Sequence, residues 1–280
     1  MTVVKTALVT GASSGIGEAV ATKLHTLGYT VYGAARRTER LSDVAGIRPL
    51  PMDVTDDASM RAGVEKIVAD TGRIDVLVNN AGYGSYGAVE DVPMDEARHQ
   101  MEVNVFGAAR LTQLVLPHMR SRRTGTIVNV TSMGGRFHSP LGAWYHSSKF
   151  ALEALSDCLR MELKPFGIDV VVIEPGNIRS DGSSVTAETL RAASGEGPYA
   201  AWAGAVLNAL TSQANARRES PPSVVADAVG QAVTARRPKT RYAAGFGARL
   251  LIAARGVLSD RVFDHLMARA IGVPSNSGKK

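Results

Sequence analysis

Short apolar runs alternate along this chain with longer stretches in which apolar residues recur every three or four positions. The runs TALVT (6–10), YTVYGA (29–34), RPLPM (48–52), IDVLVN (74–79), GTIVNVT (125–131) and IDVVVIE (168–174) read as β-strands. VVVI at 170–173 is apolar without alternation, as a strand buried on both faces should be. Helix-like segments begin near Gly15, Thr38, Asp56, Pro93 and Ala143. Repeated strand–helix–strand units with right-handed crossovers predict an α/β fold. Its core is a doubly wound parallel sheet of Rossmann type, with helices on both faces in three α/β/α layers.

Beyond Pro175-Gly176 the rhythm breaks. Residues 180–220 mix Gly, Ser and Pro with the spaced apolar set Val185, Leu190, Tyr199, Trp202, Val206 and Leu210. This predicts a loop with one or two helices, placed as a variable substrate lid. SPPSVVADAVGQAVTA predicts a further helix with Ser220 as its cap and Pro221-Pro222 in its first turn. TRYAAG (240–245) predicts a last strand. Residues 246–272 read as a C-terminal helical extension, its helix at 248–270 broken at Gly256, and 273–280 as a disordered tail. Without an internal repeat or a linker, the 280 residues read as a single domain.

Hydrophobic residues make up 45% of the chain, enough for a sizeable core. The net charge of +6 comes from scattered basic residues without RNP, zinc-finger or basic-zipper patterns, so no nucleic-acid partner is expected. Cys158 is the single cysteine, which rules out an intramolecular disulfide and fits a reducing cytoplasm. It reads as a packed small apolar residue. The N-terminus lacks a signal-peptide pattern, and no apolar run approaches the roughly eighteen residues of a membrane span. A cytoplasmic location is therefore expected. GARLLIAARGVLSDRVFDHLM mixes apolar and arginine positions in a way that suits a lipid surface, but packing on a subunit or over the active site is the preferred reading. The sequon Asn129-Val130-Thr131 falls in a strand-like run and is discounted. The six histidines show no HExxH or Cys/His spacing, so no metal is expected.

Candidate chemistry sits in two places. Gly11, Gly15 and Gly17 form T-G-x-x-x-G-x-G directly after the first strand. Such a turn lets backbone approach a pyrophosphate at the N-terminus of the following helix. Gly11-Ala12-Ser13-Ser14-Gly15 also spells the hydrolase nucleophile elbow, but it follows the first strand and leaves the third glycine unexplained. At the end of the second strand, NAD sites place an acidic residue; here Ala35 stands there, followed by Arg36 and Arg37. Two guanidinium groups suit a 2′-phosphate, which predicts NADP(H). Asp53, after the third strand, is placed either to accept from the adenine amino group or to cap the helix that follows. The second place is AWYHSSKFALEALSDCLRMEL, where Tyr145 and Lys149 lie four apart on one helical face, with Ser132 thirteen residues upstream of the tyrosine. A free phenol titrates near ~10, and an adjacent ammonium with an oxidised nicotinamide offers the charge to bring it towards ~7.

TGASSGIG (10–17), NNAG (79–82), Asn104, Ser132, YHSSK (145–149) and PGNI (175–178) together resemble the short-chain dehydrogenase/reductases of the classical type over about residues 4–180. The resemblance implies a nicotinamide cofactor and oxidation or reduction at an alcohol or carbonyl. It implies Tyr145 as acid/base, Ser132 as the hydroxyl that polarises the substrate oxygen, Lys149 on the nicotinamide ribose and Asn104 as a helix-kink residue holding a relay water. Asn80, Ala81 and Gly82 are implied alongside the adenosine, and Pro175, Gly176 and Ile178 at the carboxamide. Ser180 stands where the family often has Thr. Ser13, Ser14, Ile16 and Val54 complete the expected cofactor set.

Phe137, His138, Leu141 and Trp144, with Tyr199 and Trp202, suggest an apolar substrate pocket. TVYGAARR and NNAGYGSYGAVED resemble the hydroxysteroid- and retinol-dehydrogenase-like branch, which implies a steroid, retinoid or lipid-like alcohol or ketone. Two alternatives remain open: an extended-type epimerase or dehydratase, opposed by the glycine spacing, and a catalytically idle cofactor-binding regulator, opposed by intact Ser132, Tyr145 and Lys149. The family is usually oligomeric, so a homodimer or homotetramer is expected.

Overall fold

A computed structural model describes residues 4–42, 44–179 and 182–273. The apolar runs become β1 (Thr6–Thr10), β2 (Thr30–Ala35), β3 (Ile47–Pro51), β4 (Val76–Asn79), β5 (Gly125–Val130), β6 (Ile168–Pro175) and β7 (Arg241–Ala244). They pair in parallel, in the order β3-β2-β1-β4-β5-β6-β7. Helices α1 (Gly15–Thr26), α2 (Glu39–Ser42), α3 (Asp57–Thr71), α4 (Met94–Met101), α5 (Gly107–Arg122) and α6 (Ala143–Leu163) join the strands up to β6. After β6 come α7 (Gly182–Ser194), α8 (Ala200–Thr211), α9 (Gln213–Ala216), α10 (Ser223–Thr234), α11 (Ala248–Val257) and α12 (Asp260–Ile271). The expected doubly wound sheet is present, and each expected strand falls within two residues of its place.

Period-two alternation divides the core between the two faces of the sheet. Ala7 and Val9 pack with Val20 and Leu24 of α1 and Val225 and Val229 of α10. Leu8 points the other way, to Val64 and Ile67 of α3 and Leu111 and Val115 of α5. Truncating a fully buried Leu such as Leu111 to Ala would cost about 2–5 kcal/mol. Between β1 and β4 the winding reverses, which opens a crevice beyond the C-terminal ends of the strands. Asn129 is buried in β5: it accepts from Asn79 Nδ2 at 2.9 Å and donates to Ser156 Oγ at 2.8 Å. The sequon is therefore a sheet-centre network.

Several local expectations are corrected. Asp56, not Asp53, caps α3, accepting from the Ala58 and Ser59 N–H groups. Ser220 does not cap α10. The first helical N–H groups reach back to the proline carbonyls, Val224 to Pro221 and Val225 and Ala226 to Pro222, so Pro222 caps a helix that starts at Ser223. Ser220 is instead spliced to 177–179 by backbone bonds, and its hydroxyl accepts the Phe246 N–H at 3.0 Å. The 182–216 region holds three helices rather than one or two. Gly256 lies inside α11; the break falls at Leu258, whose extended backbone turns the chain into α12. Cys158 is exposed rather than packed, because α6 turns His146, Lys149, Leu152, Glu153 and Ser156 inward and leaves it on the outer face. The expected tail at 274–280 lies outside the described residues.

Candidate active site

The nucleotide end of the crevice is made by the turn between β1 and α1. Gly11 has φ +63°, a left-handed value that L side chains rarely adopt. A Cβ on Gly17 would stand 2.1 Å from the Gly11 carbonyl oxygen, so only glycine lets α1 cross the turn this closely. The free N–H groups of the first turn of α1 then point into the crevice. Thr10 fastens the neighbouring strand end: its hydroxyl accepts the N–H groups of Asn80 and Ala81, each at 3.0 Å. The Asn80 side chain donates back to the Thr10 carbonyl at 2.9 Å.

At the end of β2, Ala35 is buried, and Arg36 and Arg37 are exposed immediately after it. The Asp53 carboxylate accepts from the Thr55 N–H and hydroxyl at 2.9 and 2.8 Å. Burial would raise the Asp53 pKa, but these bonds and the Arg36 charge outweigh it and hold the group below its ordinary value.

Tyr145 and Lys149 stand one turn apart on α6, with the Lys149 nitrogen 6.0 Å from the Tyr145 ring centre. Lys149 is buried and donates to the Val130 carbonyl at the end of β5 at 3.2 Å. Ser132 follows two residues later, at the start of a 3₁₀ turn, and its oxygen accepts the Gly134 N–H at 3.0 Å. That leaves the hydroxyl proton available to a second acceptor. Asn104 sits in a π-helical segment, Glu102–Phe106, between α4 and α5, where the widened turn aims it inward. Its amide accepts from Tyr83 N–H at 3.0 Å and donates to the Tyr83 carbonyl and Ser148 hydroxyl, each at 2.9 Å. Gly82 gives both groups room, since a Cβ there would meet Asn104 Oδ1 at 3.0 Å and Lys149 Nζ at 3.3 Å.

Burial and charge set the ionisation of these groups. Desolvation pulls the buried Lys149 ammonium down to about 8, against the opposing charge of Glu153. Desolvation pushes the Tyr145 phenol above its ordinary value, and hydrogen bonding by Ser132 only partly offsets this. The expectation of a lowered phenol pKa is thus reversed in the protein on its own. With its pKa raised, Tyr145 is protonated at neutral pH. Burial also lowers the pKa of His146. Its Nδ1 lies 2.8 Å from the Gly134 carbonyl, and the neutral ring braces the Ser132 turn.

These segments meet in one cleft of about 360 Å³. Gly11, Ser14, Gly15, Ile16 and Gly17 line one end; Asn80, Ala81, Gly82, Pro175, Gly176 and Ile178 line the middle; Ser132, Tyr145 and Lys149 close the other end. Ser13, Arg36, Arg37, Asp53 and Val54 do not line it, Asn104 supports it from behind, and Ser180 lies outside the described residues. Sequence reasoning missed Tyr83, Gly84, Tyr86, Asn177, Thr186 and Leu210, which also line the cleft. The tyrosines stand in YGSYG just after NNAG and were findable. Thr186 and Leu210 come from α7 and α8; Leu210 belongs to the spaced apolar set of the expected lid, and Thr186 carries no spacing signal.

The expected aromatic pocket is dispersed. Phe137 packs on Phe263 of α12 with ring centres 5.9 Å apart, and His138 contacts Asp264 at 2.8 Å. Leu141, Tyr199 and Trp202 line a separate hollow with the Gly87–Glu90 segment, and Trp144 lines neither. Among the described residues no helix is long and apolar enough to cross a membrane, and no cluster of three or more His, Cys, Asp or Glu is placed to hold a metal ion.

Known proteins share this architecture. A 3-ketodihydrosphingosine reductase of Bacteroides thetaiotaomicron is 42% identical over 173 residues, covering 62% of this chain and 64% of that one. An NADPH-dependent 3-dehydrocapnine reductase of Ornithobacterium rhinotracheale is 34% identical over 274 residues, covering 93% and 95%. The crystal structure of a short-chain dehydrogenase from Streptomyces avermitilis superposes with a TM-score of 0.80 at 33% identity, covering 97% of this chain and 98% of that one. The sequence profile of the family described as short chain dehydrogenase matches residues 5–190, the span that holds the glycine turn, Asn104, Ser132, Tyr145 and Lys149. With sheet order, cleft and sequence in agreement, this chain belongs to the short-chain dehydrogenase family.

Proposed function

We propose that the protein is an NADP(H)-dependent oxidoreductase that reduces the carbonyl of an apolar substrate, with Tyr145 as the acid. The observation that carries this reading is the convergence of the Ser132 hydroxyl, the Tyr145 phenol and the Lys149 ammonium at one end of a cleft whose other end is a glycine turn. The turn fits a dinucleotide, since a Cβ on Gly17 would fill the cradle. Ala35 with exposed Arg36 and Arg37 fits a 2′-phosphate better than a ribose hydroxyl pair. The relative from Ornithobacterium is named as NADPH-dependent. Bound NADPH supplies a hydride.

The chain's own residues do the rest. Ser132, whose hydroxyl also hydrogen-bonds Tyr145, would donate a hydrogen bond to the substrate oxygen and orient it. Tyr145, kept protonated by its raised pKa, would give its proton to that oxygen as negative charge builds there. Lys149 would hydrogen-bond the nicotinamide ribose and stabilise the phenolate that remains. Tyr86 and Leu210 give the open end of the cleft an apolar character. The names of the two reductases above specify a 3-keto and a 3-dehydro substrate, which supports a ketone here.

Titration with NADPH and NADH, followed by nicotinamide fluorescence, tests the cofactor reading. In Arg36→Ala/Arg37→Ala we expect NADPH to weaken about 10- to 100-fold, as the loss of charge-assisted hydrogen bonds implies, with NADH nearly unchanged. Equal losses would overturn the phosphate assignment. Failure of wild-type protein to oxidise NADPH with any apolar ketone would overturn the reaction.

A further inference from the structure

We propose that Glu153 is a positioning residue for Lys149: its carboxylate keeps the ammonium charged and anchors the strand end from which Ser132 projects. The inference rests on the reaction proposed above, because it concerns the state of the Lys149 that reaction uses.

The geometry begins with helix spacing. Tyr145, Lys149, Glu153 and Asp157 follow one another at four-residue intervals along α6, so each lies one turn beyond the last. Glu153 and Lys149 are each only 5% exposed. A carboxylate this deep persists as an anion only when it is paired and hydrogen-bonded. Glu153 meets both conditions. Its Oε1 accepts the Thr131 hydroxyl at 2.6 Å, and its Oε2 accepts Arg241 Nε and Nη2 at 3.0 and 2.9 Å.

Thr131 stands between Val130, whose carbonyl accepts from Lys149, and Ser132. Lys149 and Glu153 therefore grip successive residues of one strand end, and Ser132 is the next residue along. The turn that follows is packed onto the same helix, since a Cβ on Gly135 would sit 3.0 Å from Glu153 Cγ and 3.1 Å from the Lys149 carbonyl.

The other ionisable groups around this stripe are identified. On α6 they are Tyr145, His146, and Asp157 with its partner Arg160. Glu174 lies at the end of β6, and Arg241 starts β7 and bridges Glu153 to Asp157. Arg136 beyond the Ser132 turn is 3.9 Å from Glu153 and 3.5 Å from Glu174, and Tyr86 faces Tyr145. Of the two buried carboxylates, Glu174 has the raised pKa, first from desolvation and then from the charge of Glu153. Glu153 has the shorter and more numerous donors, and it lies one helical turn from Lys149. Its charge opposes the desolvation of the ammonium.

The test follows the Lys149 Cε chemical shift against pH by NMR in the cofactor-free protein, and in parallel the pH dependence of NADPH affinity. In wild type both midpoints should fall at about 8. In Glu153→Gln, which keeps an acceptor for Arg241 but not the charge, the midpoints should move down by about one pH unit or more. NADPH affinity lost at pH 7 should then return in acid. Glu153→Asp should keep the wild-type midpoint. Arg241→Gln, which removes the guanidinium paired with Glu153 and leaves the Glu153 charge less neutralised, should move it up, so the sign can be read even if Glu153→Gln fails to fold. An unchanged midpoint in both Gln variants, or a loss of affinity in Glu153→Gln equal at every pH, would overturn the inference. If wild type binds no NADPH, the cofactor reading fails, while the NMR midpoints still decide the role of Glu153.

Discussion

At its Gly11–Gly17 end the cleft is walled by backbone, whereas at its Ser132–Lys149 end it is walled by ionisable side chains. The first end works by leaving side chains out: left-handed φ at Gly11, and no room for a Cβ at Gly17. The second end holds a half-buried phenol and a buried ammonium and adjusts them with neighbouring groups. A backbone wall fixes shape, so disturbing it should damage fold and binding together. A side-chain wall carries charge and protons, so disturbing it should alter turnover or ionisation and leave the shape standing.

The largest effect should come from the side-chain end. Tyr145→Phe removes the proton donor while keeping the ring that packs near Tyr86. Turnover should fall by about 10²- to 10⁴-fold, the usual contribution of a positioned acid. NADPH affinity and thermal midpoint should stay near wild type. Retained turnover would remove Tyr145 from the reaction, and a collapse of the fold would erase the contrast between the two ends.

The backbone end gives the opposite pattern. In Gly17→Ala the new methyl meets the Gly11 carbonyl at 2.1 Å, which is backbone, and the Asn80 side-chain nitrogen at 2.6 Å, which is held by the Thr10 and Gly11 carbonyls. The turn, α1 and the Asn80 strand end must separate, at a cost of about 1–3 kcal/mol, the usual range for forced overpacking. The urea midpoint should fall and NADPH binding should weaken with it. A variant as stable as wild type, with undiminished binding, would show that the close crossing is not required.

The two ends also differ in how legible they were. The glycine turn could be read because a backbone constraint admits one residue type, and that restriction shows in sequence as fixed spacing. Tyr145 and Lys149 could be read because one helical period joins them, and the sheet because its strands are apolar on both faces. Less was visible where partners come together only in three dimensions. Glu153 looks like an ordinary surface-helix residue until Thr131 and Arg241 reach it from β5 and β7. Leu210 and Thr186 reach the cleft from helices whose amphipathic pattern fixes an inward face but not a destination. The pocket assigned to Phe137 and His138 failed for the same reason, since Phe263 and Asp264, more than a hundred residues away in sequence, occupy their faces. Pattern gives elements and local constraints; docking decides which side chains share a site.

The smallest effect tests whether the side-chain end is held against a thermodynamic cost. Lys149 is depressed to about 8 in the folded chain from 10.5 in the unfolded one. Below pH 8 both states hold the proton, and the full penalty of burying the ammonium is present. Between pH 8 and 10.5 the unfolded chain binds the proton and the folded chain does not, so this group makes stability rise with pH across that window. Lys149→Met removes the charge and retains most of the volume. It should therefore be more stable than wild type at pH 7, by about 1–2 kcal/mol after allowance for the Glu153 charge left without its neighbour. The gap should narrow as pH rises towards 10.5, and turnover should be lost throughout. Urea unfolding of both proteins at a series of pH values measures the gap directly. A variant less stable than wild type at pH 7 would mean that the ammonium supports the fold, and that this end of the cleft, like the glycine end, is built for shape.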